Sequence, residues 1–148
     1  MTVDFTYDDL EVGYGFDGPE VVITREMIAE FAAASFDHNP LHWDDKYMTE
    51  TEFAGGKSFD DVIAHGLMTY AFMTRAMTDW LWPDNGEHRR LETRFRQPIY
   101  PGDTIRIRVE VASKRETRAA KWAVCQVTVT NQNGDMVATG DALAEILN

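Results

Sequence analysis

The sequence predicts an α+β domain in which one long apolar helix is laid on an antiparallel sheet. Two observations carry this expectation. Val62 to Trp82 is the longest apolar-rich stretch, and Leu67, Tyr70, Ala71, Met73, Thr74, Met77 and Leu81 within it keep helical spacing. From Leu91 onward, apolar residues recur at every second position between clusters of turn residues. The chain has 148 residues, 44% of them hydrophobic, with no repeat or composition break. Residues 1–148 therefore read as a single domain able to bury one core without disulfides or metal.

The elements follow in order. A short strand is expected near Gly13–Val22. Thr24 precedes the run Arg25 to Ala34, a helix with an N-cap hydroxyl and with Met27, Ile28, Phe31 and Ala32 on one face. The segment then reaches Asp37-His38-Asn39-Pro40, where Pro40 disfavours a helical Asn39 and ends the helix. A second helical piece is expected around Asp44–Thr51. The segment 53–61, FAGGKSFDD, has no period and reads as a loop. The long helix is apolar almost all round, which predicts burial, and Pro83, Asp84, Asn85 and Gly86 stop it. Four strands complete the sheet: Leu91–Tyr100, Thr104–Lys114, Trp122–Thr130 and Met136–Ile146. In the second, Ile105, Ile107, Val109 and Val111 share one face, and Arg106, Arg108 and Glu110 the other. Turns at 101–103 and 131–135 separate them.

Charge and cysteine content exclude several function classes. The formal net charge is −11, which leaves nothing to neutralise phosphates generally and argues against nucleic-acid binding. Residues 1–88 carry four Lys or Arg against 18 Asp or Glu, whereas 89–121 carry ten against four. Arg94, Arg96, Arg106 and Arg108 alternate along strands, which fits a solvated sheet face or a surface for a phosphate-bearing ligand. Cys125, the single cysteine, sits in an alternating strand and reads as a buried, inert thiol. No apolar run is long enough for a bilayer, and the acidic opening MTVDFTYDDLEVG lacks signal-peptide features, so the cytoplasm is the expected location.

Two segments carry chemistry. Asp37-His38-Asn39-Pro40-Leu41-His42 sets a carboxylate and an imidazole five residues apart around a proline. A proline corner can turn both side chains into one pocket, and together they can hold and deprotonate water near neutral pH. Ile63-Ala64-His65-Gly66-Leu67-Met68 lies where the loop gives way to the long helix. Its glycine admits a ligand close to the backbone, beside unpaired, positively polarised N–H groups of the first turn. Such amides stabilise an oxyanion developing on a carbonyl. His38 and His42 also form an H-x-x-x-H pair, but Pro40 breaks the helix a zinc motif would need.

The D-x-N-P-L-H run followed by I-A-H-G at the head of an apolar helix resembles the MaoC-like, (R)-specific enoyl-CoA hydratases. Tyr7-Asp8-Asp9-Leu10-Glu11-Val12-Gly13, the closing strands and Arg96-Gln97-Pro98-Ile99-Tyr100-Pro101-Gly102-Asp103 extend the resemblance over nearly the whole chain. It implies a hot dog fold, a sheet wrapped around one central helix, with two copies joined as a homodimer. It also implies that Asp37 and His42 are the catalytic dyad and that the Gly66 N–H polarises an acyl thioester carbonyl. Asn39 fixes the turn and belongs with His65 and Thr74 to the residues near substrate; His65 itself reads mainly as a loop-fixing side chain. The substrate is then an acyl-CoA or acyl-carrier thioester, with no cofactor, metal, nucleic acid or membrane involved. One departure is a longer stretch between His42 and Gly66, with the excess in 53–61 beside the expected pocket. Two rival readings share the fold: an acyl-CoA thioesterase, and a non-catalytic subunit that binds acyl thioesters.

Overall fold

The computed structural model describes residues 5–148. In chain order the elements are β1 (Gly15–Val22), α1 (Arg25–Ser35), α2 (Asp45–Glu50), α3 (Gly66–Leu81), β2 (Gly86–Phe95), β3 (Thr104–Glu116), β4 (Lys121–Thr130) and β5 (Met136–Ile146). Single 3-10 turns lie at Pro40–His42 and Ala54–Gly56. The five strands form one sheet in the order β1-β3-β4-β5-β2, every neighbouring pair antiparallel. With α3 held against its inner face, this is the hot dog fold.

The period-two pattern explains the packing. Ile105, Ile107, Val109 and Val111 of β3, with Ala123, Cys125, Val127 and Val129 of β4, are buried beside Met73 and Met77 of α3. On the outer face the arginines of β3 meet the acids of the neighbouring strand: Arg106 Nε donates to Glu20 Oε2 at 2.6 Å and Arg108 to Asp17 Oδ1 at 3.1 Å. Two of the four alternating arginines are thus accounted for by a solvated sheet face. Burial pushes the Cys125 thiol up to about 12, which fits an inert core residue.

Three expectations need correction. The strand expected at Leu91–Tyr100 runs from Gly86 to Phe95. Its first residues pair with the end of β5, Gly86 with Ile146 and Glu87 with Glu145, a long-range match that the charged run Glu87 to Arg90 hides locally. Beyond Phe95 the chain leaves the ladder: Arg96 and Gln97 N–H both donate to Val137 O, and Ile99 O accepts from Ala64 N–H at 2.8 Å. Gly86, expected to stop the helix, is instead the first residue of β2. The long helix is also less enclosed than its composition predicts. It starts at Gly66, Leu67 is 60% exposed and Trp82 beyond its end is 71% exposed. Ala71, Arg75, Thr78 and Asp79 complete an outward stripe.

Thr24 caps α1 as expected, its hydroxyl accepting from Met27 N–H at 3.1 Å. The helix ends on Phe36, held in the left-handed region at φ 60°, which turns the backbone into the Asp37 corner. No helix among the described residues is long and apolar enough to cross a membrane.

Candidate active site

The corner is built by side chains serving their own backbone. Asp37 Oδ1 accepts from Asn39 N–H at 3.3 Å, and Asn39 Oδ1 accepts from Leu41 N–H at 3.2 Å. With Pro40 opening the 3-10 turn, these bonds bring the chain round to His42.

Three bonds then fasten the corner to the segment before α3. Ile63 N–H donates to Leu41 O at 3.0 Å. His42 Nδ1 lies 2.7 Å from Ile63 O, and His65 Nε2 lies 3.0 Å from Asp37 O. A carbonyl oxygen only accepts, so both of these ring nitrogens carry the proton. In neutral His42 the lone pair is therefore on Nε2, which is left free to take a proton from a ligand. Burial pulls the His42 pKa below its ordinary value, and the neighbouring His65 acts in the same direction; the Ile63 carbonyl and the Asp37 carboxylate oppose it. The neutral form is favoured.

One carboxylate oxygen of Asp37 and one ring nitrogen each of His42 and His65 lie within 4.8 Å of one another. The two imidazoles stack with centroids 3.7 Å apart and planes at 24°. Stacked rings send their in-plane lone pairs out side by side, whereas a metal at about 2.1 Å needs them to converge. The arrangement suits a hydrogen-bonded water.

Gly66 opens α3 with no side-chain cap from His65. The amides of Gly66 and Leu67 donate to no acceptor among the described residues. Gly66 and His42 line the same cleft, of about 310 Å³, together with Ile63, Ala64, Thr69, Phe95, Ile99 and Val137. A side chain at position 66 would meet the Phe95 ring at 2.9 to 3.2 Å, so glycine keeps both the ring and the open amide in place.

The expected site residues thus divide. His42 and Gly66 line one cleft; Asp37 is not part of its lining, but its carboxylate lies within 4.8 Å of a ring nitrogen of His42. Asn39 is exposed and holds the turn without lining the cleft. His65 is 1% exposed, behind His42, and touches the Asp37 backbone. Thr74 does not line the cleft, and its buried hydroxyl has no partner among the described residues. Eight helical residues carry it about 80° round from Gly66, while Thr69 lies about 60° away on the other side. Thr69, three residues past Gly66, lines the cleft and was legible from that spacing. Phe95, Ile99 and Val137 come from strand ends and a loop, where no local signal marks a wall. The loop 53–61 contributes Lys57 and Phe59.

Comparison with known proteins agrees with this architecture. The (R)-specific enoyl-CoA hydratase of Aeromonas caviae is 28% identical over 119 residues, covering 80% of this chain and 83% of that protein. The 3-hydroxybutyryl-CoA dehydratase of Methylorubrum extorquens is 26% identical over 140 residues, covering 95% and 83%. Among solved structures, the unliganded R-hydratase PhaJ1 of Pseudomonas aeruginosa superposes with a TM-score of 0.79 at 28% identity, covering 95% of this chain and 84% of that one. The family description "MaoC like domain" matches residues 10–133. With that match spanning most of its length, the chain belongs to the MaoC-like domain family.

Proposed function

We propose that the protein hydrates trans-2-enoyl thioesters to 3-hydroxyacyl thioesters, or catalyses the reverse dehydration, with Asp37 and His42 handling the water. The observation that carries this reading is the Nδ1–H bond of His42 to Ile63 O, which leaves Nε2 unprotonated on a ring that lines the cleft of Gly66 and has the Asp37 carboxylate within 4.8 Å of one of its nitrogens. The hydratase and dehydratase relatives support the same reaction class.

The thioester carbonyl accepts from the Gly66 N–H, which makes the β-carbon electrophilic and stabilises the enolate oxygen. A water hydrogen-bonded to Asp37 gives a proton to His42 Nε2 as its oxygen attacks that carbon. The imidazolium then returns the proton to the α-carbon from the same side. Dehydration runs these steps backwards.

A homodimer belongs to the same proposal. Along β1 the ladder shifts between Asp17 and Glu20, where Pro19 has no N–H to offer, so the outer edge of β2 is the better pairing surface. Light scattering on a sizing column measures it.

Crotonyl-CoA and longer enoyl-CoAs test the activity, with loss of the conjugated enoyl absorbance and release of free thiol followed together. Absorbance loss without thiol is the expected result. Thiol release would identify a thioesterase, and silence across chain lengths would favour a binding subunit.

A further inference from the structure

Residues 52–61 form a braced loop with fixed ends. Phe53 and Lys57 bridge as an isolated antiparallel pair, and Gly56 N–H donates to Phe53 O at 3.1 Å. Gly55 and Gly56 adopt φ of 75° and 68°, the left-handed region open to glycine. The Phe53 ring meets Phe59 edge-on at 4.9 Å and Tyr47 at 6.0 Å. At the far end, Asp61 pairs with Arg25 of α1, which also holds Asp45 of α2 at 2.8 Å. This bracing turns Lys57 and Phe59 onto the wall of the cleft that holds His42 and Gly66.

The charge of that cleft opposes the charge of the protein. Its ionisable lining is His42, Lys57 and Arg96, with no carboxylate, in a chain of net charge −11. Outside the cleft, Arg25, Lys46, Arg75, Arg89, Arg106 and Arg108 each sit against an acid, whereas among the described residues Arg90, Arg94, Lys114, Arg115, Arg118 and Lys121 do not. Lys57 and Arg96 are in none of the ion pairs among the described residues, and Arg96 Nε donates only to Thr139 Oγ1, at 3.4 Å. The floor is buried and mainly apolar (Ala64, Thr69, Ile99, Val137), and both cations stand on the exposed rim.

We propose that Lys57 and Arg96 form a rim clamp for an anionic group on the thioester substrate, with Phe59 as the adjoining apolar wall. This rests on the enoyl-thioester reading above. The chemistry read is an oxyanion carried outside the reacting enoyl unit, supplied either by the phosphates of a nucleotide carrier or by a carboxylate at the far end of the acyl chain.

Specificity ratios test the clamp. Values of kcat/KM are measured for crotonyl-CoA, for crotonyl-pantetheine, which lacks phosphate, and for glutaconyl-CoA, which adds a carboxylate, with the wild type, Lys57→Gln and Arg96→Gln. If carrier phosphate is read, the preference for crotonyl-CoA over crotonyl-pantetheine falls about tenfold in each variant. If the acyl carboxylate is read, the preference for glutaconyl-CoA over crotonyl-CoA falls instead. Either loss should also be reproduced in the wild type by 0.5 M KCl. Ratios within twofold of wild type for both variants overturn the clamp. Should no thioester be turned over at all, the hydratase reading fails on its own. Calorimetric binding of crotonyl-CoA and crotonyl-pantetheine to the same three proteins then decides the clamp by the same ratio.

Discussion

The imidazole of His65 stacks on that of His42 with centroids 3.7 Å apart while its Nε2–H reaches back to the carbonyl of Asp37. One buried side chain thus touches both members of the proposed dyad without lining the cleft itself. His65→Phe keeps the stack and removes the donor. It should cost about 1–2 kcal/mol in stability and lower kcat about tenfold. His65→Gln, which restores an N–H near the Nε2 position, should recover most of the kcat. Equal activity of the Phe and Gln variants would deny His65 a positioning role.

Asp37→Asn and His42→Ala each remove one half of the proposed water-handling pair. Both should lower kcat by at least about a hundredfold with circular dichroism unchanged. Near-normal turnover in either variant would remove that residue from the mechanism.

The pH dependence follows from the His42 pKa, which lies below its ordinary 6.5 because the ring is partly buried. Protonation fills the Nε2 lone pair, so hydration should be fully present above that depressed pKa and lost as pH falls through it. The acid limb of kcat/KM should therefore lie below pH 6.5, and it should vanish in His42→Ala. An acid limb above pH 7 would contradict this assignment.

Gly66→Ala sets a methyl group against the Phe95 ring and over the exposed amide. Phe95 is 53% exposed and can swing aside, so the melting temperature should change little. The obstructed carbonyl site should lower kcat/KM about tenfold or more. Paired melting and kinetic measurements separate the two effects; an active, stable variant would argue against the carbonyl site.

Cys125 is fully buried and its thiol is pushed up to about 12. Iodoacetamide should leave the folded protein unmodified for hours at pH 8 and label it promptly in denaturant, as mass spectrometry would read. Rapid native labelling would mean that the β4 core opens readily.

The parts of this protein that could be read from its sequence are those fixed by neighbours in the chain. Pro40 bends the corner that carries Asp37 and His42, Thr24 caps α1, and the alternation of Ile105 to Val111 chooses the buried face of β3. What could not be read depends on distant partners. The start of β2 is set by its pairing with the end of β5, and the fate of Arg96 to Tyr100 by bonds to Val137 and Ala64. Thr74 shares a helix with Gly66 but not the cleft wall, because counting turns gives height along a helix more surely than direction around it. The cleft walls Phe95, Ile99 and Val137 meet only once the sheet has curled.

The bonds joining Leu41, His42 and Asp37 to Ile63 and His65 close the intervening stretch into a loop tied at its neck. Changes of length between residues 43 and 62 need not disturb the groups at that neck. The proposed reaction chemistry and substrate choice are in this way mechanically separate, and exchange of the 52–61 segment would offer evolution or an engineer a route to new acyl thioesters with the proposed water-handling corner left standing.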